Sequence, residues 1–215
     1  MKYLYNNGVG KTGNQKLLLV PLILVLIGIY LGFNTLSPLI FSVTQPVDKT
    51  ANLLKSQQPE QDIDRLYIPK INTNIVIAPI GTDETTALDL GAVSRSNQNG
   101  NPKAGGNYVL VAERFSLRFL PTETFNKSPF YNLGNLQVGD DLFVDYKGTR
   151  FAYKIDAREI MDSTNPRIEG TSEQAKLTLY SAEMKDEGKR EIITASQIGK
   201  VVWTSGAPKV EPITN

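Results

Sequence analysis

Hydrophobic and polar positions divide the chain into one long apolar run and a series of short alternating ones. Leu17 to Phe33, LLLVPLILVLIGIYLGF, carries no charge, and apolar residues continue through Phe41. As a helix rising about 1.5 Å per residue the run reaches about 26 Å, and the stretch through Phe41 extends it to span a hydrocarbon layer of about 30 Å. Pro21 falls near its start, where a missing N–H costs least. From Arg65 the period drops to two. RLYIPKINTNIVIAPIG reads as two opening strands, with Pro69 at an edge or bulge because it cannot donate to a ladder. Leu88 to Ala92 is a further short piece, and Tyr108 to Ala112 a strand. Pro129 to Leu133 reads as a short helix, Leu142 to Tyr146 as a strand, and Lys147-Gly148 as a hairpin turn into Thr149 to Met161. Lys176 to Ser181 and Glu191 to Ser196 complete the set. The segment after Arg114, with Pro121 as a breaker, and residues 162–175 read as loops. Many short strands with closely spaced turns predict an all-β barrel or sandwich.

The same pattern divides the chain. Residues 1–16 form a polar, basic tail; its GVGKTG lacks the spacing and the preceding strand of a phosphate loop. Residues 17–41 are the transmembrane anchor, and 42–64, rich in Gln, Pro, Asp and Lys, are a linker with one helical turn around Ala51 to Lys55, holding the domain off the membrane. Residues 65–200 are the β domain, and 201–215 a polar tail expected to be disordered. Lys2, Lys11 and Lys16 precede the apolar run, with no acid before residue 48, which places the N-terminus in the cytoplasm and the domain outside. A cleaved signal peptide is the rival reading; the length of the run and the lack of an A-x-A site favour a retained single-pass anchor.

Composition adds exclusions. The net charge of +1 makes no case for nucleic acid as a partner. The chain has no cysteine and no histidine. Thiolate nucleophiles, imidazole bases and zinc sites built on either residue are therefore ruled out. No cofactor or metal is expected. The acidic runs Asp140-Asp141 and Glu183 to Glu187 suit calcium ligands in type but read more simply as solvated faces.

Three motifs carry a family resemblance. LYIPKI, Leu66 to Ile71, opens the β domain; Phe130, Leu133, Leu136, Gly139 and Asp140 form an F-x-x-L-x-x-L-x-x-G-D run; and Thr178-Leu179-Tyr180-Ser181-Ala182 precedes Arg190 at the head of the next strand. In this order they resemble the sortases, membrane-anchored cysteine transpeptidases that join proteins to the bacterial cell wall or into pili. The resemblance covers about residues 65–200 and implies an eight-stranded β-barrel with short helices, preceded by one N-terminal transmembrane helix. It implies a domain on the outer side of a bacterial cell membrane, anchored through Leu17 to Phe33. It also implies that a cysteine, a histidine and an arginine form the site. Here Ala182 stands at the cysteine position and Glu113 at the histidine position, and Arg190 alone is retained.

A sortase cysteine attacks a threonyl carbonyl in a motif such as L-P-x-T-G, and an amine resolves the thioester. Ala182 has no lone pair with which to attack. Ser181 is the nearest hydroxyl, a weak nucleophile candidate, because neighbouring strand residues face opposite ways and a carboxylate is a poor base for serine. Glu113 reads either as a solvated carboxylate or as an ion-pair partner of Arg190, whose guanidinium would lower its pKa. Phe115, Tyr180 and Phe119 are peptide-groove candidates or ordinary core aromatics. The resemblance thus points to an inactive pseudo-sortase that holds a sorting-motif peptide, a pilin or an active sortase. The alternatives are a sortase-family transpeptidase or hydrolase with a non-cysteine nucleophile, and a structural envelope module.

Overall fold

A computed structural model describes residues 13–44, 49–95, 99–182, 186, 188–203 and 208–213. The basic tail through residue 12, and Glu183 and Glu187 of the acidic run, lie outside the described residues. The apolar run forms one long helix, α1 (Gly13–Thr44), in which Leu19–Thr44 is long and apolar enough to cross a membrane. Pro38 interrupts its ladder by lacking an N–H, and the Ser37 hydroxyl donates instead to the Asn34 carbonyl at 2.7 Å.

The linker holds an eight-residue helix, α2 (Lys49–Ser56), fixed to the β domain. The Thr50 amide and hydroxyl both donate to Asn72 Oδ1, at 3.0 and 2.8 Å. Asn72 sits at φ 54 after the 3-10 turn Pro69–Ile71, a left-handed position that asparagine tolerates. Residues 49–56 are thus part of the folded unit rather than a free spacer.

Among the described residues ten strands follow: β1 (Arg65–Ile68), β2 (Thr73–Ile77), β3 (Gly91–Ser94), β4 (Gly100–Asn101), β5 (Gly105–Ala112), β6 (Asp141–Tyr146), β7 (Thr149–Asp162), β8 (Lys176–Ala182), β9 (Lys189–Val202) and β10 (Lys209–Glu211). Eight of them close on themselves in the order β9-β7-β6-β1-β2-β3-β5-β8, since β8 pairs with both β5 and β9. Two pairings are parallel, β2 with β3 and β5 with β8. The strand β4 hangs on β5 and β10 on β9. Lys147 and Gly148 both have positive φ, as a tight turn between right-twisted strands requires.

Inward positions alternate as expected of half-buried strands. Tyr108, Leu110 and Ala112 of β5 meet Leu177 and Leu179 of β8 and Ile193 and Ala195 of β9 in the barrel core. Phe130, Leu133 and Leu136 are buried in the same cluster, so the F-x-x-L-x-x-L run plugs the barrel. Only the last part of that run is helical, a 3-10 turn at Leu133–Asn135 rather than Pro129 to Leu133.

Three further expectations are corrected. Pro121 does not break the chain but opens α4 (Pro121–Asn126), because the first helical position needs no N–H donor. The Glu123 carboxylate accepts the Leu120 amide there at 3.3 Å. The tail beyond residue 200 is not wholly irregular: β9 runs to Val202, and Lys209–Glu211 pairs with its exposed edge. Leu88 to Ala92 also divides, into the end of α3 (Glu84–Leu90) and the start of β3.

Arg150 and Asp145 face each other across the β6–β7 ladder and are almost fully buried. The pair is bidentate, with Nε to Oδ1 at 2.6 Å and Nη2 to Oδ2 at 2.7 Å. The remaining Nη1 donates to the Leu54 carbonyl of α2 at 2.9 Å, and the guanidinium lies between the rings of Tyr67 and Trp203. Removing one partner leaves a buried unmatched charge. Arg150→Ala is therefore expected to lower stability by about 3–5 kcal/mol, while Asp145→Leu with Arg150→Met loses far less. Urea unfolding of the detergent-solubilised chain, followed by circular dichroism, distinguishes this from a dispensable pair, for which both variants would match the parent.

Candidate functional site

The site grows out of one end of the strand trio β5, β8 and β9. The parallel register of β5 on β8 ends at Val111↔Tyr180, two residues before Glu113 and Ala182. The antiparallel register puts Ala182 opposite Arg190 and Ser181 opposite Glu191. Glu113 and Arg190 both line one groove at this barrel end.

Alternation sorts the neighbouring side chains onto two faces. Val109, Tyr180 and Ile192 are buried in a small second cluster on the outer face, with Ile168 of the 163–170 segment packed over them. Beside this cluster opens a groove of about 740 Å³ whose lining includes Glu113, Phe115, Tyr180, Arg190, Glu169 and Arg95. Ser181 lies on the opposite face, in line with Leu177 and Leu179, and is buried. It is not among the groove-lining residues. Phe119 is not either; it sits against Tyr30 of α1, ring centroids 6.1 Å apart.

Glu113 is half-buried, and its backbone carbonyl accepts the Phe130 amide at 3.1 Å, so the plug fixes the strand exit. Burial raises its carboxyl pKa above the usual value, with Arg118 offsetting part of the effect. Glu113 and Arg190 form no ion pair within 4.0 Å among the described residues. The carboxyl shift runs opposite to the one such a pair would cause. Glu113 and Arg190 line the same groove without pairing, and Arg114, next along the chain, turns inward to a different carboxylate.

That carboxylate is Glu191, which the sequence reading passed over. It is 1% exposed and lies between two guanidiniums. Arg114 pairs with Oε2, and Arg158 of β7 donates Nε to Oε1 at 2.7 Å. The visible signal was a charge on the inward face of β9, where Ile193 and Ala195 follow. On the groove side, the Tyr180 hydroxyl donates to Glu169, and burial together with that carboxylate pushes the phenol up to about 12. Arg95 bridges Glu84 at 2.6 Å and Glu169 at 3.9 Å. Glu84 and Glu169 therefore have guanidinium partners in the groove, and Glu113 has none within 4.0 Å among the described residues. Among the described residues no group of three or more potential metal ligands occurs. Asp140 and Asp141 face Lys70 and Lys154.

A closed eight-stranded barrel is the architecture that the motifs implied. The family description "Sortase domain" matches residues 66–198, and the chain belongs to the sortase family. Solved structures agree on the fold. Listeria monocytogenes sortase A superposes with a TM-score of 0.55 at 17% identity, over 68% of this chain and 93% of that one. A Clostridium perfringens sortase D5 transpeptidase gives 0.52 at 20%, over 73% and 91%. Streptococcus agalactiae sortase C1, in complex with MTSET, gives 0.53 at 21%, over 80% and 87%. Among curated proteins there is no sequence match.

The Glu113 shift makes a pH prediction. The folded state favours the neutral carboxyl, so its folded pKa lies above the ordinary 4.5. The stability this gives is complete below the unfolded pKa and is lost as pH rises through the folded one. Relative to Glu113→Gln, the parent protein should thus lose stability as pH rises across that window. A difference between the two proteins that stays constant with pH would show a solvated carboxylate instead.

Proposed function

We propose that this chain is a membrane-anchored pseudo-sortase, which holds an extended peptide in the groove without transferring it. The observation that carries this is the register of β8 on β9: the position opposite Arg190 is Ala182, which offers no nucleophile. The placement of Ser181 supports it, since that hydroxyl is buried on the other face of the strand. What remains in the groove suits binding. Phe115 and Tyr180 offer aromatic surface, Arg190 offers a donor for a peptide carbonyl, and Glu113 accepts a donor or a cation. The ligand is a sorting-motif peptide, presented free, on a pilin or by a partner sortase. The basic N-terminal residues put α1 with its start in the cytoplasm and the barrel outside.

Two measurements test this. The purified chain is incubated with L-P-x-T-G peptides and hydroxylamine; no hydroxamate is expected. Product that disappears in Ser181→Ala would establish a sortase-family enzyme with a serine nucleophile. The same peptides are titrated by calorimetry, with saturable binding expected. Arg190→Ala should weaken it about ten- to a hundredfold, the equivalent of about 1.5–3 kcal/mol for a hydrogen bond to a charged group. No binding to any sorting-motif peptide would leave the structural envelope module as the better account.

Orientation has its own check. Protease added to intact cells should remove the barrel and spare the basic tail. A mature protein starting near residue 45 in the medium would identify α1 as a cleaved signal.

A further inference from the structure

We infer that the loop Phe115–Leu120 is a second membrane contact, dipping its apolar side chains into the outer leaflet beside α1. The inference rests on the reading that α1 spans the bilayer.

One face of α1 is turned to the domain. Asn34, Ser37 and Pro38 are buried, spaced three or four residues apart, and Tyr30 and Phe41 continue the stripe. Tyr30 donates its hydroxyl to the Phe119 carbonyl. Asn34 Nδ2 donates to the carbonyls of Arg118 at 2.6 Å and Phe119 at 3.1 Å, and its Oδ1 accepts from the Thr124 hydroxyl at 2.7 Å. The Phe41 ring meets Phe125 of α4 edge-on, with centroids 5.5 Å apart. The loop is therefore held at the level of Tyr30 and Asn34.

That level lies within the membrane zone. If the hydrocarbon begins just after Lys16, then at about 1.5 Å per residue Tyr30 lies about 21 Å along the helix and Asn34 about 27 Å, inside a layer of about 30 Å. Moving the span toward Thr44 puts both residues deeper still.

The loop meets the two demands of such a place. At its membrane-facing end, Arg118 to Leu120, most backbone polar groups find partners within the protein, as hydrocarbon favours. The carbonyls of Arg118 and Phe119 are taken by α1, the Arg118 amide by the Thr124 hydroxyl at 2.9 Å, and the Leu120 amide by Glu123. Its apolar side chains, by contrast, point away from the barrel: Phe119 is 80% exposed, Leu117 53% and Leu120 45%. Phe33 and Leu36 of α1, themselves exposed, belong to the same helix level. Arg118 within the loop and Lys127 after α4, both paired with Asp89, supply long side chains whose cations can reach toward lipid phosphates. An aqueous surface would gain nothing from this arrangement.

The chain has no cysteine, so one introduced thiol can be labelled uniquely. Phe119→Cys, Leu117→Cys and Ile80→Cys are made in the full-length protein, labelled with an environment-sensitive dye and reconstituted into phosphatidylcholine–phosphatidylglycerol vesicles. Ile80 is exposed and follows the far end of β2 from Thr73, whose hydroxyl donates to the Pro129 carbonyl near α4. Lipids with a nitroxide high on the acyl chain should quench most of the emission at 117 and 119 and little at 80. Equal water exposure at all three sites, with the protein still resistant to alkaline extraction, would overturn the loop contact and leave the anchor intact. Release by alkaline extraction would overturn the spanning reading, and the loop contact with it.

Discussion

The groove depends on a charge that never touches its ligand space. Glu191 sits inside the barrel end with a guanidinium on each side, one from the exit of β5 and one from β7. A carboxylate so buried is tolerable only while both partners hold their places. The exit of β5 and the strands β7 and β9 are thereby tied together at this barrel end. The plug is fitted to the same ions. A Cβ added at Gly134 would come within 2.9 Å of Glu191 Oε1 and 3.1 Å of Arg158 Nη2. Phe130, just before that turn, in turn holds the Glu113 carbonyl. Carboxylate, plug and strand exit form one mechanical unit, and none of its parts is a thiol or an imidazole.

The barrel was legible in the sequence because alternation is its cause. Period-two runs, a turn at Lys147-Gly148 and the F-x-x-L-x-x-L plug each dictate local structure that the closed sheet then uses. Legibility failed where a local rule has two outcomes. Proline ends a strand and also starts a helix, so Pro121 read as a breaker when it opens α4. A polar segment rich in lysine and glutamine reads as a spacer, yet α2 is held by two bonds from Thr50 and by its Leu54 carbonyl, features that no composition reveals. At the site, the choice of ion-pair partner was not readable. Glu191 faces inward on β9 and takes Arg114 and Arg158, whereas Glu113, just past the end of β5, lines the groove without a guanidinium partner among the described residues.

A groove that lacks its nucleophile changes what binding energy can do. In a transferase, contacts with the substrate are useful to the extent that they strengthen at the transition state. In the proposed pseudo-sortase, with alanine at position 182, contacts with Arg190, Phe115 and Tyr180 serve to raise the lifetime of the complex. The half-buried Glu113, with its raised pKa, fits that use better than it fits catalysis. A general base needs a proton to take from a nucleophile, whereas a carboxylate without a guanidinium partner needs only a donor on the ligand.

The two surfaces, groove and membrane loop, share their building blocks. α3 supplies Glu84 and Leu88 to the groove lining, and its Asp89 to the two cations beside the loop. Phe115 lines the groove at the start of the segment whose other end, Leu120, opens α4. Where α1 spans the bilayer as proposed, one end of the groove lies within a few residues of the loop that the outer leaflet would cover. A ligand reaching it along the membrane surface, as the segment just outside another protein's own anchor would, meets the groove already oriented. A ligand arriving from bulk solvent has to find both position and direction. Confinement to the same surface replaces much of the cost of encounter by geometry, and it does so only if the loop holds the barrel tilted against the bilayer. The residues Tyr30, Asn34 and Phe41 on α1 make the contacts with Arg118, Phe119 and Phe125 that fix the helix against the domain, and under the proposed loop contact they would set that tilt.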